Sequence, residues 1–343
     1  MGLSKPYFAI VKPTTRYTKA MRLTFLGTSA GIPTRSRNTT ALALALDDAK
    51  DWYLIDCGEA TQHQLLKTQY SAARLKAVFI THVHGDHCYG LPGLIASAHM
   101  QGRTAPLTIC APDGIEQMVR AVIAHTDLSH LRYPLNFIRS DKAGFEYSDQ
   151  QINVNATELS HRVPCFAYNF LEKPKKHLNG EALRAIGLEE GPAWGQLIKG
   201  ETVNHNGQLI EPATVLEDSW SPRKVIIGGD NDKPELLDNE LKTAQLMVHE
   251  ATFTEDVFAA NGGKYQHSTA AMVARAAEQQ KLPYLILTHF SQRYRADNTK
   301  ADRTVGELQQ EAKALYTGKL CLARDLQSYY LDRDHQLHQI EQD

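Results

Sequence analysis

The sequence predicts an α/β domain in which sheets are covered by helices. Two observations carry that prediction. Short apolar runs rich in Val, Ile, Leu and Phe alternate with amphipathic stretches in both halves of the chain, the pattern of strands and helices in turn. Several of these runs end in His or Asp, so one rim of the sheets is expected to gather polar side chains. At 343 residues the chain is long for one domain, but a large α/β domain with an insertion accommodates it.

Composition excludes some classes. Hydrophobic content of 42% and charged content of 22% are ordinary for a globular protein. A formal net charge of −2 argues against wholesale nucleic-acid coating, so an RNA or DNA partner would have to meet a local basic patch. Cys57, Cys88, Cys110, Cys165 and Cys321 form no C-x-x-C pair. They fit a reducing compartment, and a cytoplasmic protein is expected. No run approaches the roughly 18 apolar residues of a membrane span. The 15 histidines are the compositional anomaly.

The elements follow in order. Residues 1–20 hold Lys5, Lys12, Arg16 and Lys19 without an acid and are read as an N-terminal extension, with Met21 as a true or alternative start and the main domain over 21–343. A tethered basic arm is the other reading of that segment. Arg22–Gly27, Ala41–Leu46 and Trp52–Ile55 read as strands. A helix is expected through Gln62–Leu66, another over Gly90–Met100, a strand at Leu107–Cys110 and a helix at Ile115–Ile123. The pattern turns to β over Phe145–Glu158, and residues 171–211, rich in Gly, Pro and Lys, lose periodicity. Strands return at Lys224–Ile227, Leu246–Val248 and Tyr284–Leu287, with a helix over Ser268–Gln280.

The chemistry centres on Thr81-His82-Val83-His84-Gly85-Asp86-His87, directly after the strand Ala77–Ile80. Three imidazoles and a carboxylate in six residues suit a borderline divalent cation such as zinc, rather than a solvated loop. The motif H-x-H-x-D-H resembles the signature of the metallo-β-lactamase superfamily. That resemblance implies an αβ/βα four-layer sandwich and a two-metal site with three further ligands. His161, Asp230 and His289 each follow an apolar strand and complete the superfamily's ligand set in its order along the chain. On that basis His82, His84 and His161 hold one metal, Asp86, His87 and His289 hold the other, and Asp230 bridges them. The expected ions are Zn2+, two per subunit, with Mn2+ or Co2+ as alternatives. Such a pair makes a hydroxide at neutral pH and clamps the oxygens of an in-line displacement. Asp56 is read as a brace for the histidine loop. His63, His99, His125 and His130 are read as surface or packing residues.

Three stretches bear on the substrate. Gly27–Asn38 carries Arg35 and Arg37 beside two glycines and a proline, which suits anion contact. His249-Glu250-Ala251-Thr252-Phe253 and His267-Ser268-Thr269 supply a pair in which Glu250 could keep His267 protonated as a general acid. Either residue could instead be an ordinary cap, with Ser268 the expected N-cap of the helix. The segment 171–211 opens with Lys173, Lys175 and Lys176 and reads either as a protruding arm or as a solvated loop.

Taken together, G-T-S-A-G-x-P-T, T-H-x-H-G-D-H, the Gly-Pro pair, H-E-A-T-F and H-S-T resemble ribonuclease Z in its short bacterial form, from Met21 to about Gln327. The resemblance implies a homodimeric endoribonuclease that removes the 3′ trailer from precursor tRNA and leaves a 3′-hydroxyl, with no DNA or membrane partner. It implies an exosite arm at about 171–211, Asp86 as the base on the attacking water, and His267 with Glu250 as the acid. Arg35 stands where the family usually has Lys, and Asn231 where it usually has Thr. The alternative is a hydrolase of small esters, thioesters or phosphodiesters on the same fold.

Overall fold

The computed structural model describes residues 19–47, 49–128, 130–261, 263–295 and 303–340. Of the expected N-terminal extension, residues 1–18 lie outside the described residues.

The chain opens with β1 (Met21–Gly27), β2 (Ala41–Leu46), β3 (Trp52–Ile55), β4 (Leu75–Phe79), β5 (Leu107–Ala111) and β6 (Leu135–Arg139). Next come β7 (Glu146–Ser148), β8 (Ile152–Leu159) and β9 (Cys165–Glu172). Four short strands follow: β10 (Lys176–Leu178), β11 (Val203–His205), β12 (Gln208–Ile210) and β13 (Leu216–Asp218). The chain then forms β14 (Lys224–Ile227), β15 (Leu246–Glu250), β16 (Tyr284–Thr288) and β17 (Lys319–Leu322), and closes with β18 (Ser328–Leu331) and β19 (Leu337–Ile340). One large sheet has the order β19-β18-β1-β2-β3-β4-β5-β6, the other β17-β16-β15-β14-β9-β8-β7.

Strand periodicity builds the layers. In β2, Leu42, Leu44 and Leu46 point into the core between the sheets. Ala41, Ala43 and Ala45 point the other way, into a core shared with Leu91, Leu94 and Ile95 of the helix Leu91–Met100. The second sheet repeats the device. Val225, Ile227, Leu246, Val248 and Ile286 face the first sheet. Ile226, Met247, Leu285 and Leu287 face Val273, Ala274 and Ala277 of the helix Ala270–Gln279. Alternation with both faces apolar is what a sheet buried on both sides requires. The result is the four-layer metallo-β-lactamase sandwich, helix on sheet on sheet on helix.

Several details depart from expectation. The helix expected over Ser268–Gln280 begins at Ala270, and its N-cap is Thr269, whose hydroxyl accepts from the Met272 amide. β6, β9 and everything from β17 onward form strands that periodicity did not single out. The stretch expected to be irregular has structure of its own. After β9 the chain forms two small two-stranded sheets, β10 with β13 and β11 with β12, before rejoining the second sheet at β14. Leu183, Leu188, Leu197, Val203, Ile210 and Val215 make a separate small core there. All five cysteines are free and buried. Among the described residues no helix is long and apolar enough to cross a membrane.

Arg223, fully buried, ties the two sheets together. Its Nε donates to Glu172 at 2.7 Å, Nη1 to the Leu331 carbonyl at 2.8 Å and Nη2 to Asp47 at 3.0 Å. Removing one partner of such a buried network strands the others without solvent. Arg223→Ala should therefore cost about 3–5 kcal/mol in denaturant unfolding, and a loss below about 1 kcal/mol would mean the network is dispensable.

Candidate metal centre

Candidate ligand side chains come from strand ends in both sheets. β4 delivers Ile80 and Thr81 to a backbone ladder with the other sheet: Phe166 N–H donates to the Thr81 carbonyl at 3.1 Å, and the Tyr168 hydroxyl to the Ile80 carbonyl at 2.7 Å. His82 and His84 follow, and one helical turn, Gly85–Cys88, carries Asp86 and His87. β8 ends two residues before His161, β14 three before Asp230, and β16 one before His289. Asp56 and His289 both take left-handed backbone, at φ 57°, a costly conformation for residues with a Cβ and one that concentrates where a site demands a direction. The glycines before Asp230 serve packing: a Cβ on Gly229 would lie 2.6 Å from Cys165 Sγ and 2.7 Å from Thr81 Cβ. Gly229 thus lets the Asp230 loop touch the Thr81 loop.

The hydrogen bonds behind the imidazoles decide which nitrogen faces inward. The single Thr81 hydroxyl proton is taken by Asp56, whose oxygens lie 2.9 and 3.1 Å away. The hydroxyl therefore accepts from His82 Nδ1 at 3.0 Å. His87 Nδ1 donates to Asp56 at 2.7 Å, and His161 Nδ1 to the Gln266 carbonyl at 2.9 Å. The Thr252 proton goes to Glu250 at 2.5 Å, so Thr252 accepts from His289 Nδ1 at 3.0 Å. By this assignment His82, His87, His161 and His289 each present the Nε2 lone pair inward.

Those lone pairs crowd one another. His84 Nδ1 lies 3.0 Å from His82 Nε2 and 3.2 Å from His161 Nε2, and His87 Nε2 lies 3.2 Å from His289 Nε2. Asp230 Oδ1 is 3.4 Å from both His87 and His289, while its Oδ2 is 3.5 Å from His82 and 3.7 Å from His161. Asp230 is buried, and its Oδ1 has no hydrogen-bond partner. Lone pair against lone pair at such distances is repulsive unless a cation lies between them. The residues present therefore fit metal ions, and the donor atoms fall into overlapping groups within 4.8 Å of one another: His82, His84, His161 and Asp230 in one, Asp86, His87 and His289 in another, and Asp230, His267 and His289 in a third. The structure brings together all seven side chains singled out by sequence.

Electrostatics agrees at His82, His84 and His161 and opposes it at His87. Burial, with His87, pushes His82 well below its ordinary value, and burial also lowers His84 and His161, favouring the neutral form that metals bind. Burial works against protonating His87, yet Asp230, Asp56 and Asp86 outweigh it and hold its pKa well above the usual range. Burial also works against charge on Asp86, but His87 and His289 keep its pKa low. The Gly31 amide donates to Asp86 at 2.7 Å, joining the loop after β1 to the centre.

His267 stands beside this cluster. Its Nδ1 is 2.9 Å from Glu250 Oε1 and 3.8 Å from Asp230 Oδ2. Burial disfavours its charge, but Glu250 and Asp230 raise its pKa to about 9. Ser268, expected as a helix cap, instead donates to the Asn231 carbonyl at 2.5 Å. Asn231 is a junction: its amide N–H donates to Glu250 at 2.9 Å, its side-chain oxygen accepts from Ser160 N–H at 3.2 Å, and its Nδ2 meets His249 Nε2 at 3.1 Å. Glu250 and neighbours of His161 and His267 thus meet at one buried residue beside Asp230. The bridging role of Asn231 and the Gln266 carbonyl were not singled out by sequence, and Thr252 and Gly31 lay in quoted motifs without the hydrogen-bonding roles they take.

The expected substrate-binding residues separate. Arg35, Lys175 and Lys176 are exposed. Arg37 corrects the expectation: it is buried, and its Nη2 donates to the Ser291 and Tyr294 carbonyls at 3.2 and 2.5 Å. It locks its loop to the chain after His289 and offers no free cation. Lys173 is likewise engaged, its Nζ donating to Ser148 Oγ at 2.5 Å and the Asp149 carbonyl at 2.7 Å. His63, His125 and His130 are exposed, and His99 accepts from the Arg132 amide at 3.2 Å.

Comparison with known proteins follows this geometry. A protein named Ribonuclease Z from Marinobacter nauticus is 50% identical over 323 residues, covering 94% of this chain and 99% of its own. One of the same name from Pseudomonas putida is 47% identical, covering 92% and 97%. The crystal structure of human tRNase Z, short form, is similar with a TM-score of 0.59 at 26% identity, over 90% of this chain and 98% of that one. A family model described as "Anti-Pycsar protein Apyc1" matches residues 21–132, the part that holds the histidine motif.

The bond from Asp56 to His87 gives a direct test of this arrangement. Asp56→Asn can offer an N–H to His87 Nδ1 and so turn the ring's lone pair outward. Metal affinity, measured by chelator competition, should fall roughly 10- to 100-fold, and unchanged affinity would show that Asp56 does not set the ring.

Proposed function

Because the chain belongs to the ribonuclease Z family, hydrolases of phosphodiester bonds in RNA, we propose that its metal centre removes the 3′ trailer from precursor tRNA and leaves a 3′-hydroxyl. Two zinc ions, held by His82, His84 and His161, by Asp86, His87 and His289, and by Asp230 between them, would supply Lewis acidity and a water reactive at neutral pH. Asp86, kept ionised by His87 and His289, is the proton acceptor for the attacking water. His267 gives its proton to the departing 3′ oxygen, and Glu250 keeps it charged until then.

One observation carries this reading. An imidazole, oriented through Nδ1 by a buried carboxylate that raises its pKa, stands beside the candidate ligand set. An alkoxide leaving group needs such a donor, because it departs poorly without a proton.

Arg35, Lys175 and Lys176, all exposed, are the cations left to meet RNA phosphates. The segment from β10 to β13 is the exosite arm in this reading, and exposed Ile198 and Leu209 on it suit a docking surface. The protein is then a cytoplasmic homodimer in which the arm of one subunit serves its partner's substrate.

The test is direct. Purified protein of measured metal content is given a 3′-extended precursor tRNA and bis(p-nitrophenyl) phosphate. Cleavage beside the discriminator base is expected, with about two zinc ions per chain, and chelation should abolish it. Reporter hydrolysis without precursor cleavage would keep the metal site and overturn the substrate. His267→Ala should slow precursor cleavage roughly 10²- to 10⁴-fold with metal content unchanged. Metal loss in that variant would make His267 a ligand.

A further inference from the structure

Among the described Phe, Tyr and Trp residues just two are exposed, Tyr89 at 61% and Tyr265 at 37%. Both lie on segments that carry residues of the metal centre. Tyr89 closes the turn Gly85–Cys88 that carries Asp86 and His87. A helical side chain leans toward the N-terminus over the preceding turn, which aims this ring at Gly85, between His84 and Asp86. The ring packs directly on that backbone: a Cβ on Gly85 would lie 2.2 Å from Tyr89 Cε2, so only glycine leaves room for it.

Tyr265 lies two residues before His267. Its ring sits 6.3 Å from Phe253, itself buried and 6.0 Å from His267, and Lys264 Nζ lies 6.0 Å from the Tyr265 ring centre. The residue between them, Gln266, is fixed by its carbonyl bond to His161. Each tyrosine is therefore an exposed ring on a backbone that the metal centre holds in place. Ile32, 49% exposed, extends the apolar rim, one residue from the Gly31 amide bonded to Asp86.

Solvent-facing aromatic rings on rigid supports beside a phosphodiester site suit the π-faces of unpaired bases, whatever the base. We infer that Tyr89 and Tyr265 stack the two nucleobases flanking the cleaved bond of a single-stranded RNA end. Tyr265, beside the donor to the leaving oxygen, takes the base of the nucleotide that keeps that oxygen, the last of the mature tRNA. Tyr89, on the Asp86 turn, takes the first base of the trailer. This inference rests on the RNA-cleaving function proposed above.

Coupling between ring and base tests it. Tyr89 and Tyr265 are each changed to Ala, Leu and Phe in the full chain. Each variant is assayed on intact precursor tRNA and on precursors with an abasic nucleotide on one side of the cut or the other. On intact precursor the Ala and Leu variants should lose roughly ten- to a hundredfold in kcat/KM, and the Phe variants should stay near wild type. The loss should vanish for the matched pairs: Tyr265→Ala with the abasic mature end, and Tyr89→Ala with the abasic trailer. Equal losses on intact and abasic substrates, or no loss on the intact one, overturn the inference. Metal content is read for every variant, and the Leu series decides wherever Ala loses metal. Failure of the underlying function has a different signature, since the wild-type protein would then hydrolyse bis(p-nitrophenyl) phosphate and leave the precursor whole.

Discussion

Imidazole nitrogens crowded around one buried carboxylate are the constraint on which this molecule turns. Four Nε2 atoms are fixed by acceptors behind the rings, each taking the Nδ1 proton, and His84 adds its Nδ1 within 3.2 Å of two of the neighbouring imidazoles. The buried carboxylate of Asp230 lies between the two groups. A pocket like this is stable only with positive charge inside it. The surroundings are arranged to keep it: Asp56 and Thr81 behind two rings, Glu250 and Thr252 behind a third, a main-chain carbonyl behind a fourth. Left-handed backbone at Asp56 and His289 is tolerated for the direction it gives these groups.

Much of this was legible in the sequence because it depends on local pattern. β2, with Leu and Ala in strict alternation, declares which face meets the other sheet and which meets a helix. The candidate ligands His82, His161, Asp230 and His289 lie one to three residues beyond apolar strands, and strand ends can be read from a short window. What was not legible depends on partners far away in the chain. Arg37 looks like a free cation until the carbonyls of Ser291 and Tyr294, more than 250 residues later, are seen to surround its guanidinium. Lys173 is engaged in the same way by a turn about 24 residues earlier. The strands of the segment after β9 escaped periodicity because each is three residues long and is held by its own small core.

Asn231 shows how a substitution next to a ligand can be absorbed. A threonine offers one hydroxyl and a methyl group, whereas the asparagine amide accepts from Ser160 and Lys233 while reaching His249. The amide geometry suits His249, whose Nδ1 is already turned to the Glu250 carbonyl at 2.8 Å, leaving Nε2 to accept. Arg35 has no comparable compensation within the protein. It is exposed, so whatever its planar guanidinium does differently from an ammonium is felt by what it meets in solvent.

The separation in sequence between His87 and His289, whose Nε2 atoms lie 3.2 Å apart across 202 residues, bears on how the protein comes into being. β1 likewise finds one of its two neighbours in β18, with Met21 opposite Leu331. Contacts this distant form late, after local helices and hairpins, and on the ribosome they cannot form until the far partner has emerged. A nascent chain can hold the histidine motif long before it holds His289. The candidate metal centre is therefore assembled late: its two halves meet only when the chain after β16 docks against the histidine motif.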